Sequence, residues 1–89
     1  MPFTPTARSI VERAAAIVAD TPCDMQSSAD LNIDRASTAL SDGYPVRAIN
    51  YALRALTFSV GIFSADYRDI AVDAEDLIEA YMHAEELAS

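Results

Sequence analysis

Ala48, Ala52, Ala55 and Ser59 recur at i, i+4, i+7 and i+11 within "AINYALRALTFS", so a helix through this segment carries a narrow stripe of small side chains. Ile49, Leu53, Leu56, Val60 and Phe63 flank the stripe on one side, and Tyr51, Phe58 and Ile62 on the other. Arg47, Asn50, Arg54, Thr57 and Gly61 make the only polar strip, about a third of the circumference on an ideal helical wheel. A helix that is apolar over the remainder sits centrally in its fold. Small residues along its contact line let a neighbouring backbone approach towards the short end of the usual ~8–10 Å interaxial distance. The stripe is therefore a docking line for another helix, and this segment is the centre of the molecule.

Helical spacing extends along the rest of the chain. Thr4-Pro5 reads as an N-cap followed by proline at the first helical position. Ala7, Ile10, Val11, Ala14, Ile17 and Val18 then make one apolar face, and Pro22 ends the helix near Asp20. The polar, proline-broken "DTPCDMQSS" is the longest loop. Ser27 with Asp30 three residues later resembles a capping box for a second helix, whose inner face is Ile33, Ala36 and Leu40 and whose stop is Gly43. Pro45 opens the third helix, expected to run to Phe63.

Ser64 caps a fourth helix that runs to about Leu87, with Tyr67, Ile70, Ala71, Ala74, Leu77, Ile78 and Tyr81 facing inwards. No alternating strand pattern or hairpin signal occurs. Eighty-nine residues suffice for one core and not for two, so the expectation is a single all-α domain over residues 1–89. Its architecture is a compact bundle of about four helices, with a central alanine-striped third helix and a long acidic C-terminal one.

Gly43, followed by Ala48-Ile49, Ala52, Ala55 and Leu56, resembles the second half of a tetratricopeptide-type helical hairpin, with Ala36, Ala39 and Leu40 at acceptable positions before the turn. The resemblance covers residues 33–56 and implies two antiparallel helices interlocked through small side chains. It departs from the family pattern at Asn32 and Arg35, where apolar residues are usual, and at Val60, where proline is. No second copy follows at the expected offset, and the resemblance carries no ligand-binding residues across.

Charge is distributed unevenly. The chain has 14 acids and six Arg, no Lys, and a formal net charge of −8. Eight of the acids and one Arg lie in Asp66–Ser89, for a net of −7, which leaves −1 for the first 65 residues. Asp66, Asp69, Asp73 and Asp76 form a stripe beside the apolar face of the fourth helix, and Glu75, Glu79 and Glu86 a second one further round. Such a surface either keeps the chain in solution, docks a basic partner, or pairs Asp73 or a neighbour with Arg54 or Arg47 of the third helix. The net charge excludes nonspecific contact with nucleic acid or an anionic membrane, because phosphate neutralisation needs cations.

Little else points to chemistry. His83 stands alone between Glu79 and Glu86, and Cys23 sits among acids that disfavour a thiolate. Asp69, Asp73 and Asp76 splay along a straight helix instead of converging on a metal, and two glycines make no phosphate loop. The expectation is therefore no enzyme, no cofactor and no metal site. Phe58, Ile62 and Phe63 around Gly61 either close the end of the core or form a self-association patch. Gly61 itself marks the end of the third helix or a close backbone contact.

The N-terminal "MPFTPTARSI" lacks a signal-peptide layout and no apolar run is long enough to span a bilayer, so the cytoplasm is expected. Arginine without lysine, with abundant alanine and aspartate, suggests a high-GC bacterial or phage gene.

These features lead to a small non-enzymatic protein acting through protein contacts, as an adaptor, regulator or inhibitor. Its partner surface would be Asp66, Asp69, Asp73 and Asp76 with Tyr67 and Tyr81 at the rim, docking on a basic protein surface. A homodimer is consistent with the small core. Two alternatives accompany this reading. One is a DNA mimic that occupies the basic cleft of a nucleic-acid-binding protein. The other is an assembly subunit that uses the Phe58–Phe63 region.

Overall fold

The computed structural model describes residues 6–88, with side chains described through residue 84. Four helices follow in order: α1 (Ala7–Asp20), α2 (Gln26–Ser41), α3 (Pro45–Ser59) and α4 (Ala65–Ala88). There is no strand among the described residues, and the fold is the expected all-α bundle.

The expected cap at Thr4 lies outside the described residues; α1 begins at Ala7, under a reciprocal capping box. Thr6 Oγ1 accepts from the Ser9 amide at 3.1 Å, and Ser9 Oγ accepts from the Thr6 amide at 2.9 Å. Two of the amides that a helix start leaves without intrahelical partners are thereby satisfied. Ala7, Ile10, Val11, Ala14 and Val18 of the expected face are buried, and Ile17 packs at the edge of the core.

The Ser27–Asp30 box does not form. α2 starts one residue before Ser27, because the Ala29 amide already bonds the Met25 carbonyl at 3.0 Å and makes Ser27 helical. Asp30 instead accepts from Gln26 Nε2 at 2.9 Å. At its other end α2 closes in a Schellman turn. Gly43 has φ +85, its amide bonds the Leu40 carbonyl, and the Tyr44 amide bonds the Ala39 carbonyl at 2.8 Å.

α3 stops at Ser59, four residues short of the expected Phe63. Gly61 has φ +86 and its amide reaches back to the Leu56 carbonyl at 3.1 Å, so the chain turns out of the helix there. Nothing lies within 4 Å of where a Cβ on Gly61 would sit, so its role is the turn and not a close backbone contact. Ser64 Oγ then accepts from the Asp66 amide at 3.1 Å and opens α4. At ~1.5 Å per residue, the 24 residues of α4 span roughly 36 Å, most of the 43 Å length of the molecule.

α3 touches each of the other helices, whereas α2 and α4 do not meet. Its alanine stripe works as the sequence indicates. Ala48, Ala52 and Ala55 are fully buried, and the most extensive contact in the molecule is α3 with α2, whose buried residues are Ala29, Asn32, Ala36 and Ala39. The α2–α3 hairpin is thus alanine packed against alanine. Ala55 also meets Ala29 and Val18 where α1, α2 and α3 converge. α4 lies against α1 and α3 through Ile70 and Ala74, with Tyr67, Leu77, Ile78 and Tyr81 packed around them.

Asn32 is the one buried polar residue of this core, at 4% exposure. Its Nδ2 donates to the Ser28 carbonyl at 2.8 Å, while its Oδ1 is buried without a partner. An unsatisfied buried acceptor costs about 1–3 kcal/mol. Asn32→Leu, which keeps the number and branching of side-chain heavy atoms, is therefore expected to raise stability by about 1–2 kcal/mol, read as an increased urea midpoint at unchanged slope.

Candidate interaction surfaces

α4 carries the acids on a helix that is covered on one side only. Asp66, Asp69, Glu75, Asp76 and Glu79 are exposed, and Asp73 is half-buried. Asp73 accepts from Arg13 of α1 at 2.6 Å, the one ion pair among the described residues. This corrects the expected pairing with Arg54 or Arg47: α4 leans its aspartate side on α1, so Asp73 meets the α1 cation and not those of α3. Both side chains are about a third exposed, so the pair fixes the rotation of α4 more than it stabilises the fold.

Two large apolar side chains stand among the remaining acids. Val72 is 55% and Met82 54% exposed. Val72, Glu75, Asp76, Glu79 and Met82 follow one another at i, i+3, i+4, i+7 and i+10, which places them on the outward face of α4. Tyr67 and Tyr81, the expected rim anchors, are half-buried against the core. The apolar side chains that accompany the acids outwards are therefore Val72 and Met82, which the inward-facing periodicity of α4 does not mark.

The Phe58, Ile62 and Phe63 group divides. Phe58 is half-buried and packs against Val18, Ala29 and Ala55. Ile62 and Phe63, freed by the turn at Gly61, are 56% and 88% exposed. Cys23 is half-buried in the loop before α2, and its thiol donates to the Phe58 carbonyl at 3.6 Å, fastening that loop to α3. His83 is exposed on α4. Among the described residues, no three His, Cys, Asp or Glu side chains gather in a way that would hold a metal ion. Nor is any helix long and apolar enough to cross a membrane.

One concave surface runs along α4 itself, lined by Glu75, Asp76, Glu79, Met82 and His83, and another lies elsewhere. A groove of about 680 Å³ runs between the N-terminal half of α3 and the far half of α4, walled by Tyr44, Arg47, Asn50, Tyr51, Arg54 and Tyr81. No acid is among its described lining residues, in a chain with a net charge of −8. The Arg47 guanidinium lies 4.8 Å from the centroid of the Tyr44 ring, a cation–π contact that holds the cation at the groove mouth. The sequence signal for this groove is the absence of any acid from Pro45 to Ser59 together with Arg47, Tyr51 and Arg54 at i, i+4 and i+7. Its second wall, Tyr81, is 30 residues further along the chain than Tyr51.

Fold and surfaces together define a small all-α bundle whose outermost helix bears an acidic ridge and whose central helix borders a cationic, aromatic groove. Comparison with protein-family models, with curated proteins and with solved structures gives no match.

Proposed function

We propose that this protein is a non-enzymatic interaction module, an adaptor, regulator or inhibitor, that docks on a basic protein surface through the outward ridge of α4. One observation carries the reading. Asp66, Asp69, Glu75, Asp76 and Glu79 are exposed with no ion pair among the described residues, and Val72 and Met82 stand exposed among them. A face that served only to solubilise the chain would gain nothing from half-exposed Val and Met. Charge interleaved with apolar side chains suits docking, where the charges steer encounter and set orientation while the desolvated apolar groups supply affinity.

The test is affinity capture with the intact chain beside an Asp66→Asn/Asp69→Asn/Asp76→Asn variant. Asp73 is kept, because its loss would strand Arg13. The expected result is a basic protein recovered by the wild type at low salt. It should be lost from the variant, and also above ~0.5 M salt, where the Debye length falls below ~5 Å. Recovery of the same protein by both baits would refute the ridge as the working surface. Release of nucleic acid from the captured protein would specify the mode of inhibition as DNA mimicry.

A further inference from the structure

The ridge and the groove are complementary to one another. Arg47, Tyr51 and Arg54 stand at i, i+4 and i+7 on the solvent side of α3. Asp76, Val72 and Asp69 stand at i, i−4 and i−7 on α4. In each set the charged pair is ~10.5 Å apart along its helix axis, with one apolar or aromatic side chain between. Asp69, Asp76, Arg47 and Arg54 are exposed, and none of them has an ion pair among the described residues.

We propose that the α3–α4 groove of one copy receives the α4 ridge of a second copy, with the two helices antiparallel. Arg47 then meets Asp76, Tyr51 meets Val72, and Arg54 meets Asp69. The inference rests on the reading of the ridge as a docking surface and names its partner: another molecule of the same chain. The antiparallel direction is chosen because only it puts Tyr51 opposite Val72; the parallel register puts Asn50 there. Antiparallel helix dipoles also attract.

Global charge opposes this contact and local charge favours it, and salt decides between them. Each copy has a net charge of −8, of which −7 lies in Asp66–Ser89, so the α4 helices of the two copies repel; this repulsion is strongest at low salt and is screened beyond the Debye length of about 8 Å at 0.15 M. Paired Arg and Asp at contact distance are screened far less at that ionic strength. At 1 M, with a Debye length of about 3 Å, the pairs weaken as well. Association is therefore greatest near 0.15 M and falls on either side. The contact joins two different patches, so it either closes into a small symmetric assembly or extends head to tail.

The experiment is sedimentation velocity on the full chain across a concentration series at 0.15 M salt, with charge-reversal variants. Their four positions are exposed and make no described ion pair, and far-UV circular dichroism checks that the variants are folded. The wild type should self-associate. Arg47→Glu/Arg54→Glu and Asp69→Arg/Asp76→Arg should each associate at least tenfold more weakly, and an equimolar mixture of the two should form a complex that neither forms alone.

Three results would overturn the proposal: a wild type that stays monomeric throughout, association that survives both reversals, or a mixture that fails to restore it. An Ile62→Ser/Phe63→Ser variant covers the competing contact. Loss of association there with retention in the Arg47→Glu/Arg54→Glu variant places the interface at the α3–α4 turn and also overturns the proposal. A monomeric wild type that still captures a basic protein through Asp66, Asp69 and Asp76 rejects self-recognition alone and leaves the ridge as a docking surface.

Discussion

Leu56→Ala is expected to lower the stability of the protein by about 2–5 kcal/mol. Among the described residues, the large side chains that are fully buried are Ile10, Ile49, Leu56 and Ile70. The remaining core is dominated by alanine, which contributes one methyl group per residue. Transfer free energy scales with apolar area, so these four side chains carry a disproportionate share of it. Leu56 sits on α3, which like α1 contacts all three other helices, so the void left by its truncation opens where no single helix can collapse to fill it. Against a typical total of about 5–15 kcal/mol, a loss of this size leaves a substantial unfolded population. Urea unfolding followed by circular dichroism measures the effect. Phe63→Ala is the control: at 88% exposure it should change stability by no more than about 0.5 kcal/mol. A Leu56→Ala variant within 1 kcal/mol of wild type would mean that the alanine interfaces, and not the branched side chains, carry the fold.

The alanine stripe is tested from the opposite direction by Ala52→Leu, which should destabilise by about 1–3 kcal/mol although it adds apolar surface and keeps a good helix former. Ala52 is fully buried in the core that Ala36 and Ala39 of α2 share with it, and three further carbons have nowhere to go without moving α2 and α3 apart. At roughly 4–8 °C per kcal/mol for a domain of this size, the melting temperature should fall by about 10 °C. A loosely packed helical hairpin would respond the other way and gain stability from the added burial. Unchanged or increased thermal stability would therefore refute close α2–α3 packing as the reason for the stripe.

Much of this architecture is legible in the residues themselves. Apolar periodicity locates all four helices, because burial of one face imposes a 3.6-residue repeat that no loop needs to obey. Proline and glycine mark the ends that depend on backbone geometry: Pro45 opens α3, and Gly43 closes α2 with a positive φ. The misreadings arise where two local signals compete. Ser27 and Asp30 have the spacing of a capping box, but a helix starts wherever its first i→i−4 bond closes, and here the N-cap is Met25, two residues earlier than Ser27. Gly61 is tolerable within a helix at ~1 kcal/mol, so its presence alone does not distinguish a turn from continued helix.

The surfaces are less legible, because they depend on how helices are rotated against each other. The spacing of the aspartates places Asp73 in a continuous stripe, but which cation it meets is set by the side of α4 that rests on α1. Val72 and Met82 look unremarkable until the inward face is known to be filled by Ile70, Ala74 and their neighbours. The groove has one wall in each of two helices, and nothing local to Arg47 indicates that Tyr81 stands across from it.

Because α2 and α4 never touch, they influence one another only through α1 and α3, each of which contacts both. Opening is then hierarchical: α4 can lift from α1 and α3 while the alanine-packed α1–α2–α3 unit stays closed, whereas a disturbance of α1 or α3 reaches every other helix. α4, which packs on α1 and α3 alone, is thus expected to open at a lower free energy than the three-helix unit, as native-state hydrogen exchange would measure. A molecule that bridged α4 to α3 would oppose that lifting, turning a local grip into added persistence of the native state.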